Sequence, residues 1–285
     1  GSVIAADAKT EMVEYVDRVW NETTKQVDTI TTVTNENGES EPLTRECEVL
    51  TKKMCKKGLE GGDTPETAKW YVLNKNIKVS FSYIYISGNV NIILKDGCTL
   101  DNDYQGCFKR GIILKNGANL TVYEENNEDK TNSKGKIKVD GGTSNNDAGI
   151  RVPVGATLNI KGGTIKASGT EGGAGIGGLE DGSAGKTNIY GGTVQATGTS
   201  GGAGIGGGIG CDGGETTIYG GTVTATGGED GAGIGGGTGG TTTINGGIVT
   251  AEGGESAAGI GGGGYKGNGG TVTISGGTVT ANGGE

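Results

Sequence analysis

Apolar and polar residues alternate along most of the second half of the chain. The alternation has a period of two, which is strand spacing and not helix spacing. A first strand, read as ATLNIK, TNIY, TTIY, TTIN and TVTIS, directs one isoleucine per repeat to the same side: Ile160, Ile189, Ile218, Ile244 and Ile274. A glycine pair follows each of these strands, where a sharp corner needs positive φ or close backbone approach. The pattern predicts short strands joined at glycine corners.

Two further strands complete each repeat. The second strand directs a β-branched residue and then an alanine inward: Ile165, Val194, Val223, Val249 and Val279, with Ala167, Ala196, Ala225, Ala251 and Ala281. The third strand reads AGIG and contributes Ile150, Ile176, Ile205, Ile234 and Ile260. Three strands and three corners predict a three-sided coil.

The repeat length is nearly constant. Glycine pairs start at residues 162, 191, 220, 246 and 276, which gives about 26–30 residues per three-strand coil. Such a period is typical of solenoids. We therefore expect an all-β, right-handed parallel β-helix, because parallel crossover connections are almost always right-handed. Regular Gly-rich repeats run from about 155 to 285, and weaker copies of the same three-strand pattern can be traced back to Trp70. Together they predict roughly seven coils over 65–285.

Residues 1–64 differ in composition from the repeats. Met12 to Thr34 fits either an amphipathic segment or a strand pair, of which strands are favoured, and residues 35–42 read as a turn. A solenoid end exposes unpaired strand edges, so we expect 1–64 to be an N-terminal capping segment. The last repeat stops partway and lacks such a cap, as expected for a boundary within a longer array, and Gly1-Ser2 is typical of a cloning remnant.

The net charge and the residue types of the chain argue against several classes of partner and activity. The formal net charge of −9 argues against nucleic acid or an anionic membrane as partner, and no stretch approaches the ~20 apolar residues needed for membrane insertion. The chain has no histidine, and no acidic cluster with a neighbouring Lys or Arg is evident in residues 160–285. We therefore expect no enzyme, although polysaccharide-active enzymes do use this fold and remain an alternative.

A pair of tyrosines is the main candidate for ligand binding. Tyr190 and Tyr219 follow the inward isoleucines of adjacent coils, which predicts outward rings about 4.8 Å apart. Asn188 and Thr217 lie beside them. Aromatic rings flanked by amides and hydroxyls are suited to a sugar, whose C–H face meets the rings. The alternative is that the tyrosines only stabilise the sheet by cross-strand packing.

Threonines form a second outward pattern on the second strand, which would suit an ice-binding face. They are Thr193, Thr222, Thr224, Thr226, Thr250, Thr278 and Thr280. Lys166, Gln195 and Ile248 interrupt the array, and threonine is in any case favoured in strands. Ice binding is therefore a minor alternative.

Acidic residues and cysteines provide two further hypotheses. Glu229, Asp230 and Glu255 lie near one corner and could share a Ca²⁺ ion, whereas the alternative is that they are solvated surface acids; no other cofactor is expected. Cys47 with Cys55, and Cys98 with Cys107, could each close a local disulfide, or all could be reduced thiols. Cys211 has no histidine to activate it.

One resemblance extends the interpretation. The motif GGTVTATGGEDGAGIGGG from Gly220, preceded by WYVLNKNIKVS and ISGNVNIILKDGCTL, resembles Gly-rich repeats of large cell-surface proteins from gut-dwelling Gram-positive bacteria. It covers roughly 65–285 and implies a secreted, wall-attached and adhesive protein, without implying binding residues. We therefore expect an extracellular adhesin or binding solenoid whose partner is a glycan or a host surface protein such as mucin or immunoglobulin. A passive stalk is the structural alternative.

Overall fold

The computed structural model describes residues 9–102, 110–129, 133–142, 146–265 and 267–285. Before the regular coils, the chain forms β1 (Thr10–Asn21), β2 (Gln26–Ile30), β3 (Thr32–Thr34), β4 (Ser40–Pro42), β5 (Thr44–Val49), the helix α1 (Lys52–Lys57), β6 (Leu59–Glu60) and a 3-10 turn (Pro65–Thr67). The strands favoured for Met12 to Thr34 are confirmed, and β3 and β4 pair as a hairpin across the predicted turn.

Seven three-strand coils follow in the described residues. Coils 1–3 are β7 (Lys69–Leu73), β8 (Ile77–Lys78), β9 (Ile84–Ser87); β10 (Asn89–Leu94), β11 (Thr99–Asp101), β12 (Ile112–Leu114); and β13 (Asn119–Glu125), β14 (Lys136–Asp140), β15 (Ile150–Arg151). Coils 4 and 5 are β16 (Thr157–Ile160), β17 (Thr164–Ser168), β18 (Ile176–Gly177); and β19 (Lys186–Ile189), β20 (Thr193–Thr197), β21 (Ile205–Gly206). Coils 6 and 7 are β22 (Glu215–Ile218), β23 (Thr222–Thr226), β24 (Ile234–Gly236); and β25 (Thr241–Ile244), β26 (Ile248–Glu252), β27 (Ile260–Gly262). A partial coil of β28 (Thr271–Ile274) and β29 (Thr278–Asn282) lies after them.

Equivalent strands of successive coils pair in parallel and form three sheets. Sheet 1 contains the first strand of each coil, sheet 2 the second and sheet 3 the third. The register places the repeated isoleucines opposite one another, with Ile160 paired to Ile189 and Ile189 to Ile218. The fold is therefore a parallel β-helix, as the alternation predicts.

The core changes character along the axis. Coils 1 and 2 bury large side chains such as Leu73, Ile92 and Leu100, whereas the later coils bury mainly isoleucine, valine and alanine. At the far end Ile274 keeps the inward register but is 52% exposed, because no further layer of the described chain covers it.

Glycine is required where the coils of sheet 3 touch. Gly206 has φ +136°, and a Cβ there would lie 1.8 Å from the carbonyl oxygen of Gly235 in the next coil. Since neither backbone has room to move, the AGIG strand accepts no side chain at this position.

The solenoid begins earlier than the predicted boundary at residue 65. β5 pairs in parallel with β7, and β6 pairs in parallel with β9, so both already belong to a first, partial coil. α1 lies between them where a second strand would be, and its Cys55 is packed in the main core. The helix contacts β9 of sheet 3, an arrangement that strand alternation alone does not reveal.

The remainder of the N-terminal segment reaches along the outside of sheet 1. β1 pairs antiparallel with β5, then with the end of β13 through Tyr15 and Val16, and finally with β2. We refer to β1 and β2 as the N-terminal hairpin. Within the described ranges, no helix has the length and apolar character to span a lipid bilayer.

Candidate functional site

The two predicted tyrosines stack as expected. The ring centroids of Tyr190 and Tyr219 lie 4.7 Å apart with an interplanar angle of 15°. Asn188 and Thr217 are paired in the same register on β19 and β22. Asn188 Nδ2 donates to Asn159 Oδ1 at 3.0 Å, so this amide already belongs to a side-chain ladder along sheet 1.

The faces of the stacked rings are in contact with other side chains of the protein. Lys161 Nζ lies 5.2 Å from the centroid of Tyr190, and Tyr219 covers that ring as well. Burial, followed by the nearby Tyr219, raises the pKa of the Tyr190 hydroxyl. Because parallel pairing stacks the rings along the axis, their faces meet neighbours and mainly their edges point outward. The arrangement indicates that the two tyrosines support the surface of sheet 1 at this point.

Trp20 adds a third ring that the sequence did not indicate. It lies at the end of β1, and its ring centroid is 5.2 Å from that of Tyr219 with an interplanar angle of 37°. Trp20 and Tyr219 are 199 positions apart in sequence, and only the antiparallel path of β1 brings them together. The feature of the sequence that could have indicated this role is Trp20 itself, a large aromatic residue in a polar, threonine-rich segment.

Charged contacts fix the N-terminal hairpin against the solenoid. Arg18 donates to Glu124 Oε1 at 2.7 Å and to the Lys161 carbonyl oxygen at 2.5 Å. Lys161 Nζ donates to Asp17 Oδ1 at 2.7 Å. Glu124 is buried and also accepts from the Gly163 amide at 3.0 Å. A buried, hydrogen-bonded ion pair of this kind defines the position of the hairpin.

The glycine corner permits this close approach. A Cβ at Gly191 would lie 2.5 Å from Cδ of Arg18, and one at Gly220 would lie 3.4 Å from Cγ2 of Val27. The same glycine pairs that turn the chain from sheet 1 to sheet 2 therefore also leave space for the hairpin beside them.

A groove lies between the N-terminal hairpin and this corner. Its volume is about 430 Å³, and its walls include Trp20, Gln26 and Thr29 from the hairpin and Tyr219 and Asn245 from the solenoid. A second depression of about 500 Å³ lies on the other side of Trp20, toward Ser275–Gly277. We refer to the first as the hairpin groove. It combines aromatic rings with neutral amide and hydroxyl groups, a set suited to a polar organic ligand.

Another aromatic cluster attaches β1 near the start of the solenoid. The rings of Trp70 and Tyr123 stack at 5.0 Å, and Tyr15 packs edge-on against Tyr123 at 5.2 Å. Burial raises the pKa of both Tyr15 and Tyr123. This cluster belongs to a separate outer core with Cys47 and Val72, and its rings are enclosed by the protein.

The three acidic residues proposed for calcium lie at the corners between the second and third strands of coils 6 and 7. Glu229 and Glu255 have exposed side chains, and the backbone of Asp230 is used in corner hydrogen bonds to Ser200 and Gly264. Across the residues that the structure describes, no group of three His, Cys, Asp or Glu side chains is arranged to hold a metal ion. The structure therefore adds no support for a three-carboxylate site, and calcium binding by these residues stays a prediction.

The proposed Cys47–Cys55 disulfide is also absent. Both thiols are free and buried, but Cys47 lies in the outer core against β1 whereas Cys55 lies in the main core beneath α1. Burial raises the pKa of Cys47 to about 12 and that of Cys55 to about 11, so both are unreactive. Cys98 is free as well, and its suggested partner Cys107 lies outside the described residues.

The threonines of the second strand do align as an outward column. Thr224 pairs in register with Thr250, and Thr250 with Thr280. Lys166 and Gln195 continue the same column toward coil 4, so the threonine surface is limited to the last coils. Ile248, on the neighbouring column, is 56% exposed.

Comparison with known proteins agrees with the architecture. A family model described as a beta helix repeat matches residues 158–183, 188–209, 217–240, 243–264 and 272–284. No curated protein and no solved structure matches the chain. The matched segments begin at β16 and follow the Gly-rich coils one by one. The chain is therefore a parallel β-helix, and its matched segments are similar to beta helix repeats.

Proposed function

We propose that this chain is a non-catalytic, ligand-binding β-helix of a bacterial cell surface, and that the hairpin groove receives a neutral glycan. The observation that carries the proposal is the groove of about 430 Å³ beside Trp20, which joins two sequence-distant parts of the chain.

The chemistry of the groove favours an uncharged sugar. Trp20 is half-buried and offers part of its ring to the C–H face of a pyranose, a contact that aromatic side chains commonly make. Asn245, Gln26 and Thr29 supply donors and acceptors for hydroxyl groups. Lys25 and Arg18 also line the groove, but Lys25 is paired with Glu22 and Arg18 with Glu124, each at 2.7 Å, so they contribute little net charge.

The cellular context of the proposal is an extracellular or wall-attached adhesin. It is supported by the resemblance of the Gly-rich coils to repeats of cell-surface proteins from gut Gram-positive bacteria. A glycan carried by a host surface protein, such as mucin or immunoglobulin, fits both the groove and this location. Binding to neutral hydroxyl groups requires neither a metal ion nor another cofactor.

A glycan array, followed by titration of the strongest neutral hit, tests the proposal. We expect Trp20→Ala to weaken binding at least tenfold, because it removes the stacking ring. Tyr265→Ala is the matched control, since Tyr265 is a 60% exposed aromatic residue away from the groove. Equal affinity of the Trp20→Ala variant and the wild type would contradict the proposal, provided that both unfold at the same temperature.

A passive stalk is the second candidate, and one observation favours it. The faces of Tyr190 are already occupied by Lys161 and Tyr219, as expected if the ladder exists to hold coils together. A stalk predicts that the Tyr190→Ala/Tyr219→Ala variant loses thermal stability but no measurable interaction. An array without any hit would favour this alternative.

A further inference from the structure

A second group of aromatic residues lies on the outer side of sheet 3, in coils 1 and 2. Ile84 and Ile86 of β9 point inward and are 1% exposed, whereas Tyr85 between them points outward and is 39% exposed. The ring centroids of Tyr83 and Tyr85 lie 5.8 Å apart. Phe81, just before β9, is 56% exposed. Three partly exposed aromatic side chains therefore lie within five residues.

Phe81 adopts a backbone conformation that is unusual for its type. Its φ is +63°, in the left-handed region that a bulky residue seldom occupies. This conformation costs of the order of 1 kcal/mol or more. Such a conformation persists only where surrounding contacts hold it, and Phe81 makes contacts of this kind.

Cations surround these rings. The guanidinium of Arg110 lies 5.2 Å from the centroid of Tyr83, and Lys115 Nζ lies 5.7 Å from that of Tyr85. Ser82 Oγ donates to the Lys56 carbonyl oxygen at 3.4 Å, which places the end of α1 beside the same strand. We refer to Phe81, Tyr83, Tyr85, Arg110, Lys115 and Lys56 as the basic aromatic patch.

α1 extends the positive charge of the patch. Its sequence KKMCKK contains four lysines and no acid, and all four lysines are exposed. Glu60, which pairs across to Ser87, is an acidic residue at the end of β9 beside the patch. The chain as a whole carries a net charge of −9, so this concentration of cations is opposite in sign to the molecule.

We propose that the basic aromatic patch binds an acidic polysaccharide. The rings provide stacking surfaces for sugar C–H faces, and Lys56 and Lys115 beside them pair with the sulfate or carboxylate groups of the same glycan chain. The attraction between a positive patch and an acidic glycan is electrostatic, and dissolved salt screens it. We therefore expect binding to weaken as the salt concentration increases. The site is separate from the hairpin groove, which borders sheet 1 in coils 5–7.

Direct titration with labelled glycans tests this assignment, with the whole protein at low and high salt. The probes are heparin, which carries sulfates and carboxylates, hyaluronan, which carries carboxylates only, dextran, which is neutral, and a single-stranded DNA oligonucleotide. We expect binding to heparin, hyaluronan or both, no binding to dextran, and weaker binding to DNA. Heparin without hyaluronan would identify sulfate as the recognised group.

Three variants locate the site. Lys56→Gln/Lys115→Gln and Tyr85→Ala are each expected to weaken binding roughly tenfold, whereas Tyr85→Phe retains the ring and stays within about twofold of the wild type. Lys166→Gln removes one exposed lysine from sheet 2 and is the charge control, expected to change affinity by less than about twofold. Thermal unfolding of each variant shows that it is folded.

Several results would overturn the proposal: no binding to either acidic glycan, dextran binding as tightly as heparin, DNA binding more tightly than both glycans, or an equal loss in Lys166→Gln. Trp20→Ala separates this site from the hairpin groove. It is expected to leave heparin binding unchanged even if it abolishes binding of a neutral glycan, and loss of both would place the acidic ligand in the groove instead.

Discussion

Coils 1 and 2 and the Gly-rich coils 4–7 build the same ladder in different ways. Coils 1 and 2 fill their interior with large side chains, among them Leu73, Ile92 and Leu100. The Gly-rich coils bury smaller ones and rely on direct backbone contact between coils, as at Gly206 and Gly235. The comparison teaches that a β-helix can obtain its cohesion either from side-chain volume or from the absence of side chains.

The largest expected effect comes from adding one carbon atom to a Gly-rich coil. Gly206→Ala places a Cβ 1.8 Å from the Gly235 carbonyl oxygen at a φ of +136°, so we expect a loss of about 4 kcal/mol or more in the free energy of unfolding. Urea denaturation measures it. Gly117→Ala is the control, because its Cβ would meet no atom within 4 Å and only strain of about 1 kcal/mol remains. Similar losses in both variants would show that contact between backbones is not what requires glycine.

Truncating equivalent isoleucines sharpens the comparison. Ile92 and Ile218 occupy the same inward column and are both buried. Each change to alanine is expected to cost about 2–5 kcal/mol of unfolding free energy. We expect the higher value for Ile218→Ala, because tightly spaced glycine backbones leave less freedom to close the cavity.

Ile274→Ala is the control for these two changes. Ile274 lies on the same column but is 52% exposed, so its truncation should cost less than about 1 kcal/mol. A larger loss for Ile92→Ala than for Ile218→Ala in urea denaturation would show that the Gly-rich coils are the more adaptable ones.

The anchor of the N-terminal hairpin tests whether the two regions depend on each other. Arg18→Ala leaves the buried carboxylate of Glu124 without its guanidinium partner, which should weaken hairpin docking by about 3 kcal/mol. Faster hydrogen exchange of the β2 amides, with little change in coils 1 and 2, is the expected readout. Lys25→Ala removes only an exposed pair and is expected to change exchange by less than about 0.5 kcal/mol. Unchanged β2 exchange in Arg18→Ala would show that the hairpin is held by other contacts.

The smallest effect concerns pH at the start of β1. A hydrogen bond from Lys95 lowers the pKa of Glu11, so the stabilisation from this pair is present above the ordinary glutamate pKa and is lost as pH falls through the lowered one. Both side chains are partly exposed, so we expect less than about 1 kcal/mol. Glu11→Gln should flatten the acid side of the stability profile, and Glu14→Gln, an exposed neighbour, should not. Parallel profiles of Glu11→Gln and the wild type would contradict this assignment.

Much of the fold was predictable because each coil repeats one local rule. Period-two alternation and glycine pairs predicted the inward column through Ile189 and Ile218 and the stacking of Tyr190 on Tyr219. The hairpin groove was not predictable, since its Trp20 wall depends on antiparallel pairing of β1 with strands far away in sequence. Glu124 illustrates the same limit, because its position in the sequence does not indicate the Arg18 guanidinium that donates to it in the folded chain.

The path of β1 also has a mechanical consequence. Because β1 is bonded to β5, to β13 and, through Asp17 and Arg18, to the corner after β16, it ties several coils together along the solenoid axis. A pulling force applied to β1 loads these bonds together in shear and does not open the coils one at a time. The N-terminal hairpin would therefore delay unfolding of the first coils until all of these contacts of β1 have broken.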